Sequence, residues 1–160
     1  MKKFLTGLLC ILMSMSVCGC SRFSQYNEDD SYAAEVRQLT DEIVKYTRIW
    51  NEKDEDFNCL DRESSGEYIG ALEEVERICK KLLSLMPSEK FGKDDGHVKT
   101  SAAGLLEATS KIKDHVSYAV EIEDDGLFQK EKSGLFASYR DSYEELAEDS
   151  QYLQMFWRNA

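Results

Sequence analysis

Proline occurs once in the 160 residues, at Pro87, and glycine only nine times. So little turn chemistry disfavours a β-sandwich, whose many short strands need turn residues at regular intervals. Basic residues are also scarce: 20 Lys and Arg stand against 31 Asp and Glu, a formal charge of −11. Nucleic-acid binding needs a basic face that displaces counterions from phosphates, so that class is set aside. Histidine occurs only at His97 and His115. Neither follows a Glu three residues earlier, as a di-iron helical bundle would require, and no Cys/His spacing fits zinc. The nucleophile elbow, the phosphate loop and the dinucleotide glycine fingerprint are all missing. These absences leave no catalytic residue, cofactor or metal ligand to name. What remains is 42% hydrophobic residues in a length suited to one domain.

The first twenty residues carry the most specific signal. Met1, Lys2 and Lys3 form a short basic start, and Phe4 to Val17 then runs without a charge. That run suits a signal-peptide core and is too short to span about 30 Å of hydrocarbon as a helix. It ends at Val17-Cys18-Gly19-Cys20, which resembles the lipobox of bacterial lipoproteins. Small residues at Cys18 and Gly19 let an extended backbone enter a peptidase. The resemblance makes Cys20 the lipidation site and the first residue of the mature chain. Its thiol would carry a diacylglycerol, with acyl chains such as palmitate. At about 0.8 kcal/mol per buried CH₂, two chains supply on the order of 20 kcal/mol, enough for durable anchoring. Removing residues 1–19 takes away Lys2 and Lys3 and no acid, so the charge moves from −11 to −13. Cys59 and Cys79 are then the only cysteines left besides Cys20.

Beyond the leader, residues 20–30 read as the lipidated cysteine and a polar, aperiodic tether. Residues 31–160 read as a single domain with helical periodicity. Four apolar stripes recur in steps of three and four. The first is Tyr32, Val36, Leu39, Ile43, Tyr46 and Trp50, with Ser31 as its expected N-cap. The second is Tyr68, Leu72, Val75, Cys79, Leu82 and Met86, broadened by Ile78 and Leu85; it opens on a Ser64–Glu67 capping box and stops at Pro87. The third runs from Val98 through Ala102, Leu105, Thr109, Ile112 and Val116 to Ala119. The fourth is Phe136, Tyr139, Tyr143, Leu146, Ser150, Leu153 and Trp157. Asp-Asp-Gly precedes both of the last two, an Asp capping the helix and Gly turning the chain. The pairs Asp41/Lys45, Glu73/Arg77, Glu76/Lys80 and Glu107/Lys111 mark solvated faces. The expected fold is all-α, an antiparallel up-down four-helix bundle following a cleaved lipoprotein signal peptide.

Several constellations invite chemistry and lose on inspection. Cys79 lies about 22 Å along a helix that starts at Ser64, while the chain from Cys59 to Ser64 reaches at most about 17 Å. A bridge between them would need that segment to fold straight back, so Cys79 reads as a buried core residue. Asp54, Asp56 and Asn58 begin like a calcium loop, but Cys59 replaces its turn glycine and Ser65 its bidentate Glu. Adjacent helical residues diverge, so Asp114 and His115 make no dyad. Glu73, Glu74 and Glu76, like Glu144, Glu145 and Glu148, read as solvated carboxylates rather than an acid/base pair.

The plan of lipobox, polar tether and helical bundle is similar to that of small helical lipoproteins of bacterial envelopes, some of which share the order Pro, aromatic, His seen in Pro87, Phe91 and His97. The resemblance implies a fold and an address, with no activity. The expected protein is lipid-anchored on the extracytoplasmic side of the cell membrane or outer membrane. There it acts as a non-catalytic interaction or scaffold module whose acidic faces suit a basic protein partner. The alternative is a small-ligand or metal-ion binding lipoprotein, with a cavity lined by residues such as Thr109, His115 or Ser150.

Overall fold

A computed structural model describes residues 20–54, 61–87 and 91–158, and nearly all of them are helical. Four helices follow one another: α1 (Cys20–Asp54), α2 (Arg62–Ser84), α3 (Asp94–Ile122) and α4 (Asp125–Arg158). They form a helical bundle in which α1 packs on α2 and α4, and α3 packs on α2 and α4. The signal segment 1–19 and Cys59 lie outside the described residues, as do the side chains of Trp50 and Trp157.

All four apolar stripes turn inward. Val36, Leu39 and Ile43 of α1, Tyr68, Leu72, Val75 and Cys79 of α2, and every stripe position of α3 are buried. From α4, Tyr139, Leu146, Ser150 and Leu153 join them, while Phe136 and Tyr143 are half-buried. Phe91 and Phe128 complete the core from the starts of the last two helical segments. Phe91 lies 6.0 Å from the Tyr32 ring, and Phe128 meets Tyr68 edge-on at 6.1 Å. Removing this much apolar surface from water is the main stabilising term.

The helix ends differ from expectation at several points. α1 is already helical from Cys20 onward, so Ser31 lies inside the helix rather than capping it. α2 is capped by Asp61, whose carboxylate accepts the Glu63 N–H at 3.0 Å. Ser64 therefore sits within the first turn, and the Ser64–Glu67 box is superseded by an earlier Asp. The chain leaves α2 at Leu85, which is extended (φ −63°, ψ 142°). Met86 is consequently off the helical face and 87% exposed instead of buried. Pro87 restricts Met86, which lies two residues beyond Ser84, where the helix actually ends.

At α3 neither Asp94 nor Asp95 caps; both occupy the first turn, where their charge suits the positive end of the helix dipole. α4 behaves as expected, with the Asp124 carboxylate accepting the Gly126 N–H at 2.9 Å. The turn between them is made by Glu123 rather than by a glycine. Glu123 is left-handed (φ 55°, ψ 38°), with its N–H directed to Ala119 and Val120 carbonyls. Gly104 has a different use. A Cβ there would stand 3.2 Å from Ser142 Oγ, so glycine lets α3 and α4 approach closely.

Candidate functional site

Cys20, the expected lipidation site, is the first described residue of α1. The segment expected as an aperiodic tether is continuous helix with the packed part of α1. Extending an existing helix avoids the cost of nucleation, which is how a polar stretch becomes helical. At 1.5 Å per residue, the backbone from Cys20 to Tyr32 spans about 18 Å. Tyr32 is the first described side chain that packs in the core. Its hydroxyl donates to Asp95 Oδ1 at 2.8 Å, and Lys99 reaches the other Asp95 oxygen at 2.7 Å. Burial, followed by the Asp95 contact, pushes the Tyr32 hydroxyl far above its ordinary range. Asp95 is only 8% exposed although it belongs to an acidic pair at a helix start.

The carboxylates singled out in α2 separate into three environments. Glu73 is exposed, and Arg77 bonds Glu74 at 2.7 Å and Glu42 of α1 at 3.2 Å in place of Glu73. Glu76, expected on a solvated face, is 6% exposed and enclosed between α2 and α3. Ser110 Oγ and Lys113 Nζ each donate to it at 2.8 Å, with Lys80 Nζ at 3.5 Å. Burial raises its affinity for a proton. The hydrogen bonds from Lys113 and Ser110 and the two ammonium charges outweigh that, holding the carboxyl below its ordinary range. Glu144 and Glu145 are exposed, with Arg140 4.0 Å from Glu144. The Glu107–Lys111 pair forms as expected, at 2.6 Å on the surface.

Cys79 is a free, fully buried thiol, as expected of a core residue. Burial, then the charge of Glu76, pushes it up to about 12, so it stays protonated and unreactive. The residues that made Asp54–Asn58 look like a calcium loop lie, after Asp54, outside the described residues. Among the described residues no group of three His, Cys, Asp or Glu side chains stands close enough to hold a metal ion. No described helix is long and apolar enough to cross a membrane.

Two of the three residues expected to line a ligand cavity, Thr109 and His115, make other contacts. Thr109 is fully buried and donates to the Leu105 carbonyl at 2.7 Å. Ser150 is buried in α4. His115 is turned away from Asp114 and reaches α4, with Nε2 2.7 Å from Glu131 Oε2. The open space lies elsewhere. A groove of about 350 Å³ between α1 and α4 is lined by Thr47, Ser133, Phe136, Tyr139, Arg140 and Tyr143. Thr47 donates its proton to the Ile43 carbonyl at 2.9 Å, so the Tyr139 hydroxyl is the donor in their 2.6 Å contact. Burial raises the Tyr139 and Tyr143 hydroxyls above their ordinary range. Lys132 Nζ stands 5.7 Å from the Phe136 ring centre, a cation–π distance. A second hollow, of about 250 Å³, is bordered by Asp94, His97, Asp149 and Tyr152. There Asp149 accepts the Ser101 hydroxyl at 2.6 Å.

Three of these features escaped the sequence reading although signals for two existed. Asp95 stands three residues before Val98, and Glu76 four after Leu72 and three before Cys79, so both continue apolar stripes. The Glu131 contact had no local signal, since it is set by how α3 and α4 pack. No known protein family, curated protein or solved structure matched this chain.

Proposed function

We propose that this protein is an extracytoplasmic lipoprotein, held in the cell membrane or outer membrane by lipid on Cys20. Its bundle acts, without catalysis, as an interaction or scaffold module for a basic envelope protein. One observation carries the reading: Val17-Cys18-Gly19-Cys20 closes an uncharged run that follows Lys2 and Lys3. The helices then alternate up and down. In support, Glu35 and Glu42 of α1 meet Lys81 and Arg77 of α2, while Ser101 and His115 of α3 meet Asp149 and Glu131 of α4. In each pair of helices the partner's number falls as the other rises. The same alternation sets Thr47 about 40 Å along α1 from Cys20. The acidic mature domain would repel an anionic bilayer and present itself to the aqueous envelope.

The decisive experiment is Cys20→Ala in cells fed a labelled fatty acid. The wild-type chain should incorporate label and fractionate with membranes. The variant should lose both properties, and a variant that stays membrane-bound would refute the anchor. A second reading, small-ligand binding, is favoured by the aromatic groove between α1 and α4. It predicts that an apolar fluorescent probe binds the wild-type chain and is lost from Tyr143→Ala. Equal probe binding by both chains would count against it.

A further inference from the structure

The contact between His115 and α4 has a chemical requirement of its own. Nδ1 of His115 lies 2.8 Å from the Lys111 carbonyl oxygen, and Nε2 lies 2.7 Å from the Glu131 carboxylate. A carbonyl oxygen accepts and never donates, and an ionised carboxylate does the same. Both contacts therefore exist together only when the ring carries a proton on each nitrogen. A ring with one proton must turn a bare lone pair toward an oxygen at one end or the other.

The neighbouring charges leave Glu131 as the counter-ion of this ring. On α3, the Lys111 ammonium is taken by Glu107 at 2.6 Å, and Asp114 diverges as an adjacent helical residue. From α2, Glu76 faces α3 and is occupied by Lys113 and Lys80. On α4, Glu131 is flanked by Lys130 and Lys132, the latter over the Phe136 ring.

We infer that His115 and Glu131 form a proton-dependent clasp joining α3 to the first turns of α4. It closes when the imidazole carries a proton on each nitrogen and loosens when one proton leaves. The clasp sits about two helical turns from the left-handed turn at Glu123, and the segment it holds is the beginning of α4. An extracytoplasmic domain experiences external pH, although the chemistry of the clasp does not depend on the lipid anchor.

The test is amide hydrogen exchange on the full chain in detergent micelles, corrected for the intrinsic pH effect, at pH 5 and pH 8. Protection over Phe128–Lys132 should fall about two- to fivefold as pH rises, the range a half-exposed ion pair supplies. Protection over Leu146–Ser150 serves as the internal reference. Glu131→Gln separates the clasp from a merely structural role, because its amide either gives a proton to Nε2 or takes one. That variant should keep protection over Phe128–Lys132 nearly constant with pH, and His115→Gln should do the same. An unchanged wild-type protection, or a Glu131→Gln response equal to wild type, would overturn the inference.

Discussion

The α2–α3 interface and the α1–α4 seam are built from the same amphipathic helices, yet one is closed and the other open. Between α2 and α3, Leu72, Val75, Cys79, Leu105 and Ile112 pack without exposure, and the buried carboxylate Glu76 has three donors around it. Between α1 and α4 the cross-helix bonds include Thr47 to Tyr139 and Arg37 to Gln154, beside half-exposed aromatic rings. An enclosed charge is stable only if fully paired, which ties its helices to one register. Hydroxyls and rings that border a groove make fewer demands and leave room for something else. The closed interface thus serves folding, and the open seam leaves polar and aromatic surface accessible to solvent.

The largest contrast should come from truncation. Leu72→Ala in the closed interface should cost about 3 kcal/mol, from lost burial plus the cavity left behind. Phe136→Ala at the open seam should cost about 1 kcal/mol, because its ring is only half-buried. Urea unfolding of the two variants checks this, and equal losses would erase the distinction between the regions.

Glu76→Gln comes next, at about 2 kcal/mol, since an amide replaces a carboxylate that accepts charged hydrogen bonds. Its pH dependence sharpens the point. The Glu76 carboxyl is held below its ordinary range in the folded protein. Its stabilising contribution is therefore present above the unfolded carboxyl range and lost as pH falls through the lowered folded value. Midpoints for wild type and Glu76→Gln measured downward from pH 7 should converge in acid. Parallel curves would mean that Glu76 is not ionised in the closed interface.

The smallest effect belongs to the seam. Thr47→Val removes the acceptor of the Tyr139 hydroxyl and should cost about 1 kcal/mol. It should also change the environment of Tyr139, seen in its near-ultraviolet dichroism. A variant as stable as wild type with an unchanged tyrosine signal would show that this bond does not hold the seam.

Much of this architecture was legible in periodicity alone, because burial in a helix repeats every three to four residues. The Tyr32, Tyr68, Val98 and Tyr139 stripes all turn inward for that reason. The helix ends were less legible. Asp61 and Ser64 are both good caps, and tertiary packing selects the earlier one. Glu123 takes the left-handed turn although Gly126 stands nearby, since Asp124 must remain free to cap α4. The two hollows and the Glu131 contact depend on how separate helices lean together, which a stripe on one helix does not encode. Assigning Glu76 to a solvated face followed its i,i+4 partner Lys80 and overlooked its place beside Leu72 and Cys79.

The central claim is that Cys20 begins the mature chain and carries lipid. Intact mass spectrometry of the protein purified from membranes, followed by sequencing of its N-terminal peptide, tests it most directly. The account predicts a chain that lacks residues 1–19 and begins at Cys20 with a thioether-linked diacylglycerol. A chain that retains residues 1–19, or that begins at Cys20 with an unmodified thiol, would contradict it.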